Sequence, residues 1–507
     1  MPLSEWGSAW ASLGGQEISA VTITAFAAQT TARQFTPEQA VVLAQLLEFM
    51  DSKDDAFILS GAAGTGKTLL LRALSQALYK RGQHAVFTAP TGRSAHILSQ
   101  RLEGLAATVH ACLYHQPRLV PSLRLESGEE DLPLWTFALR ANAEQTTALL
   151  VVDEASMVGN HQTGSHHLKY GTGRLLNDVL SYARGTSPAT RMKLLFVGDP
   201  AQLPPVGEAF SPALDAEHLR TQFGLSVREA SLRTVMRQGS GSSILAAASP
   251  LRRTILEGGL LKLDLSPRGS DLTHVNPSQT LRAYGDRLRA GRDEESILIT
   301  RSNHQAAIWN QDLRRSKGCF TKSPVAGDRL ILQAPNLLHG FANSSFLKVL
   351  SVDGPAVTHT VLGIPLVFRP VIVRGPGPNH APVELRALML ENLLASDNRD
   401  LDRLQLQALW VHFLARHPGL TPKAESFFDT LRQDPYWNAL RVKYAYALTC
   451  HKAQGSEWNE VHLALGYLRP HEDITHARWL YTALTRASQQ LNILGWPSLQ
   501  AAIRRTA

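Results

Sequence analysis

Gly61, Ala62, Ala63, Gly64, Thr65, Gly66, Lys67 and Thr68 follow one another and fit the pattern G-x-x-x-x-G-K-[ST]. Small residues there let backbone N–H groups approach a triphosphate, at a helix N-terminus that favours anions. Lys67 supplies charge at the β and γ phosphates, and Thr68 offers a hydroxyl to Mg²⁺. Two other clusters suit the same chemistry. Asp153 and Glu154 follow the apolar run ALLVV, so the first acid can hold Mg²⁺ and the second can polarise an attacking water. The run KLLFV leads into GDPAQLPP, which sets Gln202 at a neighbouring strand's end, facing the γ-phosphate. The chemistry these residues imply is Mg-ATP hydrolysis, coupled through Gln202 to movement.

Such residues need strand ends to hold them. Short apolar runs at 56–59, 85–88, 148–152 and 194–197 alternate with helical text, the first helix spanning 37–50 after Thr36 and Pro37. That alternation predicts an α/β fold with a doubly wound, mostly parallel sheet. The polar, proline-bearing stretch 114–147 reads as an inserted β-hairpin, and residues 1–35 as an arm with a short helix. A second α/β pattern is split between 296–315 and 444–494. Between its parts, 325–440 begins with β-rich text, suggesting a small barrel or sheet, and ends in helical text around 384–416 and 424–432.

The chain has 507 residues, with 44% hydrophobic and 19% charged, which excludes wholesale disorder. Its net charge of +8 is uneven: residues 1–250 carry 20 basic and 21 acidic groups, residues 251–507 carry 31 and 22. A basic half points to a polyanionic partner. Cys112, Cys319 and Cys450 lack metal-ligand spacing, and His161, His166 and His167 lack accompanying Cys or acidic ligands, so no metal cluster is expected from either set. With no 18-residue apolar run and no basic residue ahead of the mildly apolar 20–28, the chain reads as soluble and cytoplasmic.

Later motifs separate the many users of a phosphate loop. Ala89-Pro90-Thr91-Gly92-Arg93-Ser94, Thr108-Val-His110, VKYAYALTCHKAQGSEW at 442–458 and LYTALTRA at 480–487 occur in that order. With GDPAQLPPV, the set resembles superfamily 1B DNA helicases of the RecD-like and Dda-like kind, over roughly 36–350 and 440–495. The resemblance implies two RecA-like motor domains, 36–236 and 237–324 plus 441–507, with an SH3-like and helical insertion at 325–440. It makes Gln39 the adenine reader, Arg237 and Arg486 the arginines on the γ-phosphate, and Glu457 a contact to the nucleotide sugar. It assigns Pro90, Thr91, Arg93, His110, Asn303, Thr449, His451 and Lys452 to a single-strand track, with Phe87 and Trp458 as possible base-stacking rings or core residues. Ala453 stands where the family often has Ser, and Trp458 where it often has Phe.

The implied activity is ATP-driven 5′→3′ travel on single-stranded DNA and unwinding of 5′-tailed duplexes, with the 114–147 hairpin as a candidate wedge. RNA is a less favoured substrate. The alternatives are a nucleic-acid translocase that remodels nucleoprotein without unwinding, and an ATP-toggled binding switch. The complete set of acids, glutamine and arginines argues against the switch.

Overall fold

A computed structural model describes residues 35–495, apart from 103, 105, 116–117, 121–133, 143–146, 163–167, 237–241, 259–262, 268, 293, 337, 378–380, 422–425 and 467–473. Most of the expected N-terminal arm therefore lies outside the described residues. Thr36 starts helix α1 (Pro37–Asp51): its hydroxyl accepts the Gln39 N–H at 3.2 Å, while Gln39 Oε1 accepts the Thr36 N–H at 3.0 Å. That reciprocal pair satisfies two donors the helix cannot use internally.

The chain then runs through β1 (Ala56–Gly61), α2 (Lys67–Lys80), β2 (His84–Ala89), α3 (Gly92–Leu102), β3 (Ala106–Thr108) and α4 (Val109–Leu113). Next come β4 (Arg118–Val120), β5 (Leu134–Phe137), β6 (Thr147–Val152), β7 (Leu168–Tyr170), α5 (Leu175–Arg184), β8 (Lys193–Gly198), α6 (Ala216–Phe223) and β9 (Val227–Leu232). Six of these strands form a parallel sheet in the order β3-β2-β6-β8-β1-β9. The order puts the carboxyl ends of β6, β8 and β1 side by side, where open α/β sheets bind ligands. Strands β4 and β5 pair antiparallel, and β7 joins them parallel to β5, an addition the sequence pattern did not indicate.

A second parallel sheet follows α7 (Ser243–Glu257). It contains β10 (Leu272–Val275) and β11 (Ser296–Thr300), separated by α8 (Pro277–Arg289), and α9 (Asn303–Ser316) follows β11. The chain leaves it for β12 (Arg329–Leu332), β13 (Phe346–Val352), β14 (Val357–Val361), β15 (Ile364–Pro376), β16 (Pro382–Leu390), α10 (Arg403–Arg416), α11 (Phe427–Gln433) and β17 (Leu440–Tyr444). It returns through β18 (Ala447–Thr449), α12 (Cys450–Ala453), β19 (Trp458–Ala464), α13 (Ile474–Leu484) and β20 (Ala487–Leu494), completing the order β10-β20-β19-β11-β18.

The inserted strands run β13-β12-β17-β16-β15-β14, and β13 also pairs with β15, which closes five strands into a ring. Two expectations change here. The text from 384 reads as helix by residue type, yet Pro382–Leu390 is a strand paired along its length with β15, and helix begins only at Arg403. Cross-strand partners override the helix preference of Glu, Leu, Arg and Met. Leu440–Tyr444 also pairs with β12 and β16, so the ring extends past 440.

Packing ties the insertion back to the first sheet. Trp135 and Phe137 of β5 share one buried cluster with Trp410, Phe413, Phe427, Leu431 and Trp437. Trp135 stacks on Trp437 with ring centroids 6.3 Å apart and meets Phe428 edge-on at 5.1 Å. The helical tail of the insertion thus packs under the hairpin, and truncating such a buried tryptophan typically costs about 3–5 kcal/mol. Among the described residues no helix is long and apolar enough to cross a membrane.

Candidate functional site

The phosphate loop leaves β1 at Gly61 and enters α2 at Lys67. Gly64 and Gly66 have φ of 80° and 89°, a left-handed backbone that favours glycine. A Cβ on Gly66 would also lie 2.3 Å from Gln39 Nε2. Thr65 closes the turn, its hydroxyl donating to the Ala62 carbonyl at 2.9 Å, with Ala63 between them. The Lys67 ammonium donates to the carbonyls of Gly61 at 2.7 Å and Ala62 at 3.0 Å, while Thr68 sits in the first turn of α2. Gln39 is buried and donates from Nε2 to the Thr65 carbonyl at 3.0 Å. It therefore braces the loop while capping α1.

Asp153 leaves β6 with its N–H on the Thr88 carbonyl at 2.9 Å. Glu154 follows in a left-handed conformation, φ 53°, and its N–H donates to Asp153 Oδ1 at 3.0 Å. Burial, and then the neighbouring Glu154 carboxylate, push the Asp153 carboxyl above its ordinary range, and Lys67 opposes them. A cation at this pair would relieve that repulsion. Gln202 is buried at the end of β8, and no donor among the described residues reaches its Oε1. An orphaned buried acceptor in the loop after β8 fits the orienting of a water.

Arg237 lies outside the described residues. The segment before it is anchored to the loop: Met236 N–H donates to the Gly64 carbonyl at 2.9 Å, and Glu38 accepts from the N–H groups of Arg233 at 2.8 Å and Thr234 at 3.0 Å. Arg486 is almost wholly buried and pairs only with neutral oxygens, the Thr482 carbonyl at 2.9 Å, the Ser456 carbonyl at 3.1 Å and Thr485 Oγ1 at 3.1 Å. Glu457 forms an ion pair with Arg101 of α3 at 2.9 Å.

The two sheets meet along the GDPAQLPP segment, through motif residues to which the sequence gave no partners and through Arg252 and Arg478 outside the motifs. Asp199 is fully buried, accepting from Arg252 Nε at 3.2 Å and from the Tyr481 hydroxyl. Arg478 donates to the carbonyls of Pro200 and Gln202, and Thr482 Oγ1 accepts the Leu203 N–H at 2.9 Å. Gln454 donates to the Leu203 carbonyl at 3.0 Å and to Ser156 Oγ at 3.2 Å. A Cβ on Gly455 would lie 3.2 Å from Ser94 and 3.6 Å from Glu154. So the segment holding Gln202 is bonded directly to α13, whose following turn carries Arg486.

The track residues fare differently. Pro90 ends the β2 loop, and Thr91 caps α3 by accepting the Ser94 N–H at 3.1 Å. Arg93 turns inward, its guanidinium 4.5 Å from the Phe346 ring and 4.9 Å from Trp458; burial, then Arg329, pushes it down to about 9. His110 packs 4.7 Å from Tyr170, and burial pushes it down to about 4. Asn303 begins α9, and Thr449 closes β18 just before His451 and Lys452 in α12. Phe87 and Trp458 are both buried, at 7% and 2% exposure, so neither offers a face to a base. His161 is exposed, while His166 and His167 lie outside the described residues. Among the described residues no metal-holding cluster of His, Cys, Asp or Glu occurs.

Two parallel α/β sheets meeting beside a phosphate loop, with acids, a glutamine and a buried arginine on the flanking segments, define a two-domain RecA-like P-loop fold. Residues 34–262 match the AAA domain family, and 444–494 match the UvrD-like helicase C-terminal domain. The chain is 29% identical to the ATP-dependent RecD2 DNA helicase of Deinococcus radiodurans, over 89% of this chain and 47% of that protein. It is 26% identical to the RecBCD enzyme subunit RecD of Mycolicibacterium smegmatis, over 89% and 70% respectively. A structure of Pif1 helicases at forked double-stranded DNA aligns at 15% identity and a TM-score of 0.47, covering 93% of this chain and 97% of that one. These matches support a superfamily 1B helicase. The chain spans about half the length of the RecD2 protein, and 37% of a relative from Methanocaldococcus jannaschii.

Proposed function

We propose that the protein is an ATP-driven motor that moves 5′→3′ on single-stranded DNA and opens 5′-tailed duplexes. The observation that carries this reading is the bonded junction between the Gln202 segment and α13, since it offers a direct route from the hydrolysis site to relative movement of the two sheets. Gly61 to Thr68 would hold the phosphates, and Thr68 with Asp153 would hold Mg²⁺, which supplies charge neutralisation at the β and γ oxygens. Lys67 is free to exchange its loop carbonyls for a phosphate, Glu154 to take a proton from water, and the vacant Gln202 acceptor to orient that water. Arg486 exchanges neutral partners for the developing negative charge. Arg237 would act beside it. ATP would thus favour the closed cleft by binding it better than the open one.

Strand grips led by Thr91 on the first motor domain, and by Thr449, His451 and Lys452 on the second, would then alternate along the backbone. Asn303 lies beside the second grip, at the end of the strand paired with β18. The 114–147 hairpin would be the wedge, supported by its packing on the insertion's helical tail.

Tailed duplexes test the proposal. The wild-type chain is expected to unwind 5′-tailed but not 3′-tailed DNA, with RNA versions weaker, and Lys67→Ala to lose roughly 10²–10³-fold in ATP turnover. Unwinding confined to 3′ tails overturns the polarity. ATP turnover stimulated by single strands, with every duplex left intact, favours a translocase that remodels without unwinding.

A further inference from the structure

The second grip borders a group of cations, of which Lys443 and Lys452 fall within the 442–458 motif and Arg399 lies outside every motif. Arg399 stands exposed on the loop between β16 and α10, and Lys443 projects from β17 with its ammonium on the Ser396 carbonyl at 2.9 Å. Lys452 reaches only neutral oxygens, Ser344 Oγ at 3.3 Å and Asn343 Oδ1 at 3.4 Å, on the turn before β13. The two carboxylates nearby already have partners: Asp397 meets His304 at 2.6 Å, and Asp400 faces Arg441 at 3.8 Å. Among the described residues Arg399, Lys443 and Lys452 therefore have no ion pair.

Arg399 and Lys443 both act electrostatically on Lys452. Burial, then Arg399, pushes Lys452 down to about 8, with Lys443 adding to the repulsion and Asp400 opposing it. Burial and then Arg399 likewise push His451 down. Asp400 offsets part of the repulsion at Lys452, and Asp397 and Asp400 act favourably on Lys443; a phosphodiester beside Lys452 would offset the remainder.

We infer that Arg399 and Lys443, both supplied by the insertion, form with Lys452 and His451 a seat for backbone phosphates of the single strand. The seat carries the strand path from α12 onto the inserted ring, and gives the insertion a share of binding that is independent of base sequence. This rests on the strand-binding reading above. Its ligand is a phosphodiester, and no ATP contact is involved.

The experiment is titration of the full chain with a fluorescent oligothymidylate at several NaCl concentrations, without nucleotide. Each phosphate contact on a single strand contributes about 0.7 to the slope of log K against log salt. Arg399→Ala is expected to flatten that slope by about 0.7 and weaken binding about fivefold at 0.1 M salt. Lys443→Gln, which keeps a donor for Ser396 but removes the charge, is expected to do the same. Arg374→Ala is the control, since that exposed arginine is already paired with Glu384, and it is expected to leave the slope unchanged. If Arg399→Ala and Lys443→Gln melt like wild type and keep its slope while Lys452→Ala flattens it, the seat is wrong and the strand-binding reading stands. If the wild type binds no oligonucleotide at all, that reading falls, and the seat with it.

Discussion

The proposed nucleotide wall and the first sheet's share of the proposed strand track use polar side chains in opposite ways. Around the phosphate loop, groups are held by partners a ligand can replace: among the described residues Lys67 rests on its own loop's carbonyls, Gln202 Oε1 has no donor, and Arg486 bonds only neutral oxygens. On the track side, Arg93 and His110 are committed to packing, one between Phe346 and Trp458, the other against Tyr170. A reaction centre needs side chains kept ready at fixed places. A moving grip on a uniform backbone can be built from helix caps, loop N–H groups and a few cations, leaving nearby charged residues to bind domains together.

The junction between these regions gives the largest expected effect. Asp199 is fully buried and shared by Arg252 and Tyr481, so Asp199→Ala leaves an arginine and a hydroxyl without their acceptor and is expected to cost about 3–5 kcal/mol. Tyr481→Phe removes one hydrogen bond and is expected to cost about 1 kcal/mol. Urea unfolding measures both. Equal, small losses for the two would mean that Asp199 does not organise the junction, and that the nucleotide wall is no more firmly held than the track.

How much of this was legible in the sequence follows the same division. The phosphate loop, the acid pair and Gln202 lie in local backbone after three adjacent strands, so pattern and spacing were enough to propose them and to read the parallel sheet beneath. Local spacing says nothing about partners far away in the chain. Hence Asp199 was quoted within its motif without Tyr481, 282 residues on. Arg93, read as a strand contact, finds its aromatic partners in two other parts of the fold. The Pro382–Leu390 segment failed for a related reason: its residue types favour helix, and only its pairing with β15 makes it a strand.

Arg93 gives the next prediction in size. Arg93→Ala removes two ring contacts worth about 0.5–2 kcal/mol each and is expected to lower stability by that order while leaving oligonucleotide affinity unchanged. Lys452→Ala is expected to do the reverse. Chemical denaturation and strand titration on the same preparations separate the two. A loss of strand affinity at Arg93 with stability intact would return that residue to the track and erase much of the contrast.

His110 gives the smallest effect, and its sign follows from burial. The folded chain holds the imidazole neutral, its pKa pushed down to about 4 from an ordinary 6.5. Below 6.5 the unfolded chain therefore binds a proton that the folded chain refuses, so stability falls as the pH drops from about 6.5 towards 4 and does not change further below that on this group's account. His110→Gln is expected to flatten that acid limb modestly, because burial also depresses His412 and His462 and their contributions remain. Denaturation midpoints measured between pH 7 and 4 test it. Strand binding over the same range sharpens the comparison: with His110 neutral throughout most of it, replacing the residue should not alter how affinity changes with pH. An affinity gain on acidification that vanishes in His110→Gln would mean the imidazole charges against a phosphate, and would place His110 with the working groups of the track.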